Sequence, residues 1–370
     1  MKTLPAIRLA SGVVIGHGRP CFVVAEIGNN HQGDMAIARR MVEEAAKAGV
    51  HAVKFQKRDM KALFTDEGLN MPYLGPNSFG PTYGEHRLAL ELPIEDMVEL
   101  KELAHSLGLV FFASAWDQIS LTELIDMGVD ILKICSADLV NVPLLRQAGT
   151  TGLPVILSTG MSSLEEIDLA VAELRKFHEN IVILHCNSTY PCPDECVGLP
   201  VMAELSRRYG LPVGYSGHER GIGPSVAAAA LGACVVERHF TLNRSQRGTD
   251  HQASLDPEGF AQMVSLIQEA EAAMTVCRKE VSEAERKVAV KLRKSVVFAR
   301  DLPAGHFLTE ADLTVKCPGH GVSPIHWDEI LGRTLACPVR HEDLVHWELL
   351  VPVAGAAHAC GEELPLAQSR

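Results

Sequence analysis

Residues 214–254 read GYSGHERGIGPSVAAAALGACVVERHFTLNRSQRGTDHQAS, two strand-like runs joined by a small-residue helical pattern. His218 follows the first run and His239 lies near the end of the second. Asp250 comes shortly afterwards, in a segment with no apolar period. Two imidazoles and a carboxylate at neighbouring strand ends are candidates for an open metal site. The alternative is that each histidine is a hydrogen-bonded structural residue.

The alternation of apolar run and helical pattern extends over most of the chain. The runs are CFVVAEIG (21–28), HAVKFQ (51–56), LVFFASAW (109–116), ILKICSA (131–137), LPVILSTG (153–160), IVILHCN (181–187), LPVGYSG (211–217) and CVVERHFT (234–241). Nearly continuous apolar strands separated by helices indicate a parallel sheet that is covered on both faces. Eight units in about 260 residues predict an α/β fold of the (β/α)8 TIM-barrel type rather than an open doubly wound sheet. Because no GxGxxG or GxxxxGK[ST] follows a run, dinucleotide and P-loop sites are not expected.

Composition and charge limit the function classes. The chain has 370 residues, of which 47% are hydrophobic and 22% charged, as in ordinary globular proteins. A formal net charge of −12 argues against a general nucleic-acid or anionic-membrane binder but allows a local basic pocket for a small anion. No apolar run approaches the roughly 20 residues of a membrane span, and no signal-peptide pattern opens the sequence. We therefore expect a cytoplasmic protein.

The ten cysteines are scattered and do not indicate a disulfide framework. One cluster, Cys186, Cys192 and Cys196, lacks the paired CxxC spacing of a zinc site. We interpret it as chance clustering, and any role for it stays open.

Polar residues gather where the apolar runs end. They are Glu26, Asn29, Asn30, His31, Lys54, Gln56, Ser114, Lys133, Ser136, Asp138, Ser158, Thr159, His185, Asn187, Ser188, Tyr190, Tyr215, Ser216, His218, Glu237 and His239. The carboxyl ends of barrel strands converge on one mouth, where barrel active sites lie. This convergence predicts a single site and strengthens the metal interpretation of the histidines.

Changes in residue pattern divide the chain into four parts. Residues 1–278 are predicted to form the barrel domain, followed by a charged linker, helical or extended, over 279–293. Short strand-like pieces with Gly/Pro turns predict a small β-rich domain over 294–353. The remaining 354–370 are predicted to be a disordered tail.

Two segments depart from the periodic pattern. Residues 57–93 show little period, and so long a connection without secondary structure is usually functional, which predicts a wall or lid of the pocket. In the small domain, DLPAGHFLTEADL (301–313) and PVRHEDLVHWELL (338–350) resemble each other and hint at an internal repeat.

Many blocks of residues 18–353 resemble the sialic acid synthases, the N-acetylneuraminate synthases and their 9-phosphate-forming relatives, with a C-terminal SAF (antifreeze-like) domain. The matching blocks are AEIGNNHQGD, VKFQKRD, TYGEHRLALEL, LSTGMSS, HCNSTYPCP, GYSGHERGI, LGACVVERHFTL, GTDHQASLDP, KSVVFARDLPAG and KCPGHGVSP. The resemblance implies condensation of phosphoenolpyruvate (PEP) with the aldehyde of an N-acylmannosamine-type sugar, giving a nonulosonic (sialic-type) acid and phosphate. It also implies a divalent metal and a domain-swapped homodimer in which the SAF domain covers the partner's barrel mouth.

The resemblance assigns roles to individual positions. Glu26, Lys54 and Asp138 match catalytic positions, with Glu26 as the base that helps water to add. Lys54, Lys133, Ser136, Ser158, Ser188, Tyr190 and Ser216 match positions that hold PEP. His218 and His239 match the metal ligands, with Mn2+ or Mg2+ implied, although two imidazoles alone also suit Zn2+. Gln56, Asn77, Asp138, Asp250, Lys316 and His320 are candidates for sugar contacts.

Each assignment has a plainer alternative. The serines could serve only as strand-end hydrogen-bonding groups, and Glu26 could form only an ion pair with Lys54. A Schiff base on Lys54 or Lys133 is disfavoured because PEP is already an enol and needs no imine.

Two departures from the family pattern leave the acceptor sugar open. The small domain carries Lys316-Cys317-Pro318-Gly319-His320-Gly321, where bacterial free-sugar enzymes commonly have KRPGxG, so the arginine contact to the N-acyl group is lost or passes to Lys316 or His320. Cys135 stands where glycine is usual, and Asp138 where many bacterial enzymes have glutamate. N-Acetylmannosamine, its 6-phosphate, and acceptors for KDN, legionaminic or pseudaminic acid all remain candidates.

Two other classes of function are weighed against the synthase. A metal-dependent hydrolase of the amidohydrolase type normally has an HxH pair at the first strand end, and this chain has AEIGNNH there. A non-catalytic sugar-binding or sensing barrel is disfavoured because Glu26, Lys54, Lys133 and both histidines are present.

Overall fold

A computed structural model describes residues 5–352, and it consists of two compact units that separate between Val276 and Cys277. The predicted tail, 354–370, lies outside the described residues. No helix in the described part of the chain is long and apolar enough to cross a membrane.

The first unit is a closed parallel barrel. Its strands are preceded by a short antiparallel hairpin of β1 (Ala6–Arg8) and β2 (Val14–Gly16). The barrel strands are β3 (Phe22–Gly28), β4 (Ala52–Lys57), β5 (Val110–Ala115), β6 (Leu132–Ile134), β7 (Val155–Ser158), β8 (Ile181–Cys186), β9 (Val213–Gly217) and β10 (Val235–His239). They pair in chain order, and β10 closes the barrel against β3. Each predicted run forms one of these strands, so the (β/α)8 barrel is confirmed.

Helices cover the outside of the barrel and fill its connections. They are α1 (Met35–Lys47), α2 (Met60–Leu63), α3 (Asp66–Asn70), α4 (Tyr83–Ala89), α5 (Ile94–Ser106), α6 (Gln118–Asp126), α7 (Val142–Thr150), α8 (Leu164–Leu174), α9 (Val201–Tyr209), α10 (Gly223–Ala230) and α11 (Pro257–Ala273). Helix α8 begins with a capping box in which Ser163 and Glu166 satisfy each other's backbone N–H groups.

The expectation of an irregular connection over 57–93 was wrong, because α2, α3 and α4 lie within it. Each of these helices begins at a side-chain cap, supplied by Asp59, Thr65 and Thr82 respectively. Such short helices are specified by their caps rather than by a long apolar period, which explains why periodicity did not reveal them.

The strands are apolar at the bottom of the barrel and polar at the top. On β3, Phe22 and Val24 pack in the barrel-interior cluster with Ile7 and Ile15 of the hairpin. Two residues above Val24, on the same face, the next inward position is Glu26, which lines a cavity. The hairpin therefore closes the lower end, and the polar site is confined to the upper end.

The second unit contains α12 (Glu283–Leu292), α13 (Trp327–Ile330) and an antiparallel pair, β11 (Ser295–Phe298) and β12 (Leu313–Lys316). Helix α12 lies within the predicted linker and shows that this part of it is helical. The antiparallel pair agrees with the predicted small β-rich SAF domain.

The suspected internal repeat of the second unit has a structural counterpart. Leu302 and Val339, at corresponding positions, exchange two backbone hydrogen bonds of 3.0 Å. A turn residue with positive φ follows in each copy, Gly305 at 79° and Glu342 at 70°. Each copy then ends in a 3-10 helix, Glu310–Asp312 in the first and Trp347–Leu349 in the second.

Candidate active site

A cavity of about 210 Å³ opens at the carboxyl ends of the barrel strands. Its walls include eleven residues that the sequence assigned to the site: Glu26, Lys54, Gln56, Lys133, Ser136, Ser158, Ser188, Tyr190, Ser216, His218 and His239. Ser114, Trp116, Cys135, Met161, Cys186 and Glu237 complete most of the wall. The closed barrel thus brings together side chains that are up to about 200 residues apart in sequence, as expected of a barrel mouth.

Two ammonium groups and two carboxylates lie at the centre of this cavity. Lys54 Nζ is 2.7 Å from Glu26 Oε2 and 3.6 Å from Glu237 Oε1. Lys133 Nζ is 3.9 Å from the same oxygen of Glu237. All four side chains are nearly inaccessible to solvent, and the two lysines and two glutamates balance in formal charge.

Burial and the neighbouring opposite charges shift the pKa values of these groups in opposite directions. Burial lowers the pKa of Lys133, because the ammonium is costly to keep charged away from water. Burial also acts to lower the pKa of Lys54, but Glu237 and Glu26 outweigh it and the net pKa is raised. Burial acts to raise the pKa of Glu237, and the two lysines bring it below its usual range. Lys54 is therefore held as a cation beside two carboxylates.

Hydroxyl groups surround the lysines. Lys54 Nζ donates to Ser114 Oγ at 3.1 Å, and Lys133 Nζ donates to Ser158 Oγ at 2.7 Å. Ser216 Oγ donates to Glu237 Oε1 at 3.3 Å. An array of cations and hydroxyl donors is suited to a small anion that carries phosphate and carboxylate.

Gly160 provides the space beside two of the predicted PEP-binding serines. Its backbone N–H donates to Ser136 Oγ at 3.0 Å. A Cβ at this position would lie 2.9 Å from Ser136 Oγ and would overlap Ser188 Oγ. Only glycine fits this close approach, which keeps both hydroxyls at the wall of the cavity.

The two histidines lie on the same side of the cavity, with ring centroids 5.4 Å apart. His218 Nδ1 donates to the carbonyl of Asn187 at 2.7 Å, which leaves Nε2 with a lone pair. Burial, together with His239, lowers the pKa of His218 to about 3, so the ring is neutral. The ring of Tyr190 packs against His218 with centroids 3.9 Å apart.

These histidines fit part of a metal shell. Within residues 5–352 no group of three His, Cys, Asp or Glu side chains is assembled to hold a metal ion. The buried Nδ1 of His239 has no hydrogen-bond partner among the described residues, and Asp250 Oδ2 is 3.9 Å from it. A neutral imidazole oriented through Nδ1 and a second with a free ring nitrogen suit an ion whose other positions are filled by water or substrate oxygen.

The outer face of β9 and β10 carries a second buried charge cluster. Arg238 Nη1 donates to Glu219 Oε1 at 2.7 Å and to Ser225 Oγ at 2.9 Å. Tyr215 Oη donates to Glu219 Oε2 at 2.7 Å. Glu219 directly follows His218, and Arg238 lies between Glu237 and His239, so this cluster anchors the backbone that carries the metal-ligand candidates.

Five predicted site residues do not line the cavity. Asp138 accepts from Cys135 Sγ at 3.1 Å and from Asn141 at 3.0 Å, and burial raises its pKa. Asn77 accepts from the N–H of Gly248 at 3.2 Å, which ties the long connection to the loop after β10.

The remaining three lie elsewhere. Asp250 lines a small adjoining cavity instead of the main one. Lys316 forms an ion pair with Glu342, and His320 lies exposed in a turn, and both belong to the second unit.

Sequence reasoning named Glu237 as a strand-end polar residue but gave it no role. It is the carboxylate that both lysines share. Because strand residues alternate between faces, a position two residues before His239 on the same strand has to share its face. That spacing would have identified Glu237.

The three clustered cysteines differ in environment. Cys186 lines the cavity, Cys192 is buried outside it, and Cys196 is exposed. All three are free thiols.

The fold and the site together define a class: a (β/α)8-barrel enzyme with a serine-lined, lysine-containing pocket for a small anion. The chain matches the NeuB family over residues 41–279 and the SAF domain over residues 293–351. The chain therefore belongs to the NeuB family. It is a nonulosonic acid synthase, a transferase that uses PEP.

Synthases named for different products are equally similar to it. Human N-acetylneuraminate-9-phosphate synthase is 37% identical over 346 residues, 93% of this chain and 96% of the human protein. The N,N'-diacetyllegionaminic acid synthase of Legionella pneumophila is 37% identical over 339 residues, 90% of this chain and 95% of that protein. The crystal structure of an N-acetylneuraminic acid synthetase from Leptospira borgpetersenii, in complex with citrate, has a TM-score of 0.69 at 32% identity and covers 78% of this chain and 96% of that one.

Proposed function

We propose that this enzyme condenses PEP with an N-acylmannosamine-type sugar, N-acetylmannosamine or its 6-phosphate, to give a sialic-type acid and inorganic phosphate. The observation that carries the proposal is the cluster of Lys54, Lys133, Glu26 and Glu237 inside a serine-lined cavity, beside the two candidate metal-binding histidines. A synthase for KDN, legionaminic or pseudaminic acid would use the same cluster, so the acceptor has to be determined by experiment.

In this proposal the lysines and the hydroxyl groups bind PEP. Lys133, held by Ser158, and Lys54, held by Ser114, supply the positive charge. Ser136 and Ser188, whose hydroxyl groups both lie beside Gly160, supply donors for phosphate or carboxylate oxygens. Because Gly160 has no side chain between them, both hydroxyl groups can contact a single ligand.

A divalent ion, Mn2+ or Mg2+, would be held by His218 and His239, and when bound it would polarise the acceptor's aldehyde oxygen as a Lewis acid. The chain's own contribution is to orient His218 through the carbonyl of Asn187 and to present the free Nδ1 of His239. Gln56, which donates to Glu26 Oε1 at 2.6 Å, is positioned to orient the sugar.

The condensation forms a bond between C3 of PEP and the aldehyde carbon, the aldehyde oxygen takes up a proton to become a hydroxyl, and C2 becomes electron-deficient. Water adds to C2 and gives one proton to a base. The bond from C2 to the phosphate oxygen then breaks as the new hydroxyl on C2 loses its second proton, which releases inorganic phosphate and leaves the 2-keto acid. Glu26 lines the cavity and is our proposed base, with Lys54 at 2.7 Å to stabilise its carboxylate. Asp138, outside the cavity wall, is assigned to holding the Cys135 thiol and the Asn141 amide in place rather than to direct proton transfer.

We also propose that the active form is a domain-swapped homodimer, in which Lys316 or His320 of the SAF domain contacts the partner's acceptor sugar. The family resemblance and the strongly exposed apolar side chains Ile325 and Phe307 of the second unit support this proposal. Mixing an inactive barrel variant, Lys133→Ala, with an inactive SAF variant would restore activity through hybrid dimers. Failure of every mixture to regain activity would contradict the exchange of domains.

The proposed reaction is tested by phosphate release from PEP in the presence of Mn2+ and each candidate acceptor. The panel comprises N-acetylmannosamine, its 6-phosphate, mannose and a 2,4-diacetamido sugar. Release with a mannosamine acceptor, with the nine-carbon product seen by mass spectrometry, supports the proposal. Release only with the diacetamido sugar would assign the legionaminic-type reaction, and release with none would reject the synthase proposal.

A further inference from the structure

Beside the main cavity lies a buried arginine that the proposed chemistry does not use. Arg58 directly follows β4, and only 4% of the residue is exposed. It lines a neighbouring cavity of about 820 Å³, which the long connection after β4 helps to form, instead of the main one. Any effect of Arg58 on the reaction must therefore pass through a residue that does line the main cavity.

The guanidinium of Arg58 joins the ends of three barrel strands. Its Nη1 donates to Asn29 Oδ1, just beyond β3, at 3.2 Å, and its Nη2 donates to Gln56 Oε1 on β4. Its Cζ lies 4.3 Å from the centroid of the Trp116 ring, just beyond β5. The backbone N–H of Arg58 donates to Glu91 Oε1 at 2.9 Å, and Nη1 lies 3.6 Å from Glu91 Oε2. These contacts hold the planar guanidinium in one place.

Gln56 carries the contact into the main cavity. Its amide oxygen accepts from Arg58, and its amide nitrogen donates to Glu26 Oε1 at 2.6 Å. Both Gln56 and Glu26 line the main cavity. A guanidinium offers only donors and an ionised carboxylate only acceptors, so a single orientation of the amide satisfies both neighbours. Arg58 thus holds the amide nitrogen toward Glu26.

The surroundings of Glu26 leave little room for another arrangement. Gly28 has a φ of 54°, and a Cβ there would lie 3.1 Å from both Gln56 Nε2 and Glu26 Oε1. On the other oxygen of the carboxylate, Oε2, Lys54 Nζ lies 2.7 Å away. The carboxylate is therefore held through one oxygen by an ammonium and through the other by an amide that Arg58 orients.

We propose that Arg58 is a positioning residue for the reaction. By holding the amide oxygen of Gln56, it keeps the carboxylate of Glu26 in the geometry in which it takes a proton from the attacking water. The inference deepens the proposed function and rests on Glu26 as the base. Without a donor at position 58, Gln56 would be free to turn away, and Glu26 would be held by Lys54 alone.

The test is a double-mutant cycle on the full-length enzyme, with phosphate release measured with the acceptor that the wild type uses. We expect Arg58→Met to lower kcat about tenfold, as for one misplaced hydrogen bond to a charged group, and to change KM for PEP less than about twofold. In a Gln56→Ala background the same substitution should change kcat less than about twofold, because the residue through which Arg58 acts is gone. An equal fall in kcat in both backgrounds would overturn the proposal.

Two further variants separate positioning from general stability. Arg58→Lys keeps a charged donor and should recover part of kcat. Arg40→Met on α1, where the side chain is exposed, is the control and should leave kcat unchanged. A lower unfolding temperature for Arg58→Met with an unchanged kcat would make Arg58 purely structural and would overturn the positioning role.

Crystal structures decide the same point without turnover. In Arg58→Met, Gln56 Nε2 should lie more than about 3.5 Å from Glu26 Oε1, beyond hydrogen-bond distance, while Lys54 stays beside the carboxylate. A Gln56 side chain that keeps its position would contradict the proposal. Absence of phosphate release by the wild type with every acceptor would reject the proposed function, whereas these structures would still decide whether Arg58 positions Gln56.

Discussion

Strands β9 and β10 carry a buried charge cluster on each face, and the two clusters differ in how their carboxylates are satisfied. On the outer face, Glu219 accepts hydrogen bonds on both oxygens, from Arg238 and Ser225 on one and from Tyr215 on the other. On the inner face, Glu237 accepts only from Ser216, at 3.3 Å, and its Oε2 has no hydrogen-bond partner among the described residues.

The difference separates structural charge from functional charge. A buried ion pair contributes to a fold when further hydrogen bonds satisfy its remaining groups. Both carboxylate oxygens of Glu219 are satisfied, and among the described residues only Nε of the Arg238 guanidinium lacks a partner in this pair. Glu237 and its lysines surround a cavity and leave hydrogen-bonding capacity unused, so they are arranged for a ligand. The outer cluster should therefore govern stability, and the inner cluster should govern activity.

The largest expected effect is on the inner face. His218→Ala or His239→Ala should lower kcat/KM about 10³-fold or more, because each removes a candidate ligand of the Lewis acid. Thermal unfolding in metal-free buffer should change little, and His105→Ala on α5, where the side chain is exposed, is the control. A large loss of stability with modest loss of activity would make these histidines structural.

On the outer face, Glu219→Gln should reduce the free energy of unfolding by about 3–5 kcal/mol, because it leaves the buried Arg238 guanidinium without a counter-charge. Urea denaturation measures the change. Glu179→Gln is the matched control, since Glu179 pairs with Arg175 at 2.9 Å on the surface, and we expect less than about 1 kcal/mol there. Equal effects at the two sites would remove the distinction between the clusters.

A third buried group, His31, is uncharged and can be compared with the two charge clusters. Its ring packs beside Phe55, on the outer side of the barrel wall. Burial lowers its pKa to about 4, against about 6.5 in an unfolded chain. Between these values the unfolded chain binds a proton that the native protein does not, so stability falls as pH decreases from about 6.5 to 4, by about 3 kcal/mol in total.

Urea unfolding at several pH values checks this prediction. His31→Gln should be less stable at neutral pH and should show a shallower loss on acidification than the wild type. An unchanged slope in the variant would show that His31 is not responsible.

The smallest expected effect concerns space rather than charge. Gly160→Ala should raise KM for PEP about tenfold, because the added methyl group overlaps Ser188 Oγ and crowds Ser136 Oγ. Gly223→Ala is the control, since a Cβ there meets nothing within 4 Å. An unchanged KM in Gly160→Ala would show that the two serines do not act on PEP together.

Much of the site could be anticipated because each polar residue directly follows, or lies near the end of, an apolar run. Parallel pairing forces those ends to one mouth, and Glu26, Lys54 and His239, which were expected there from their positions in the chain, line one cavity. Asp138 was misjudged as a cavity residue, because the 3-10 helix Ser136–Asp138 turns its side chain toward Cys135 and Asn141. Local turns of this kind leave no periodic signal.

The sequence by itself determined the barrel, since eight apolar runs separated by helices leave few other ways to bury both faces of a parallel sheet. It also determined which strand ends carry chemistry. Only the tertiary structure decided which charges belong together, because ion-pair distances depend on which face and which neighbouring strand each side chain meets. The pairing of Glu237 with both lysines and the outer network of Glu219 both arise from contacts between distant segments.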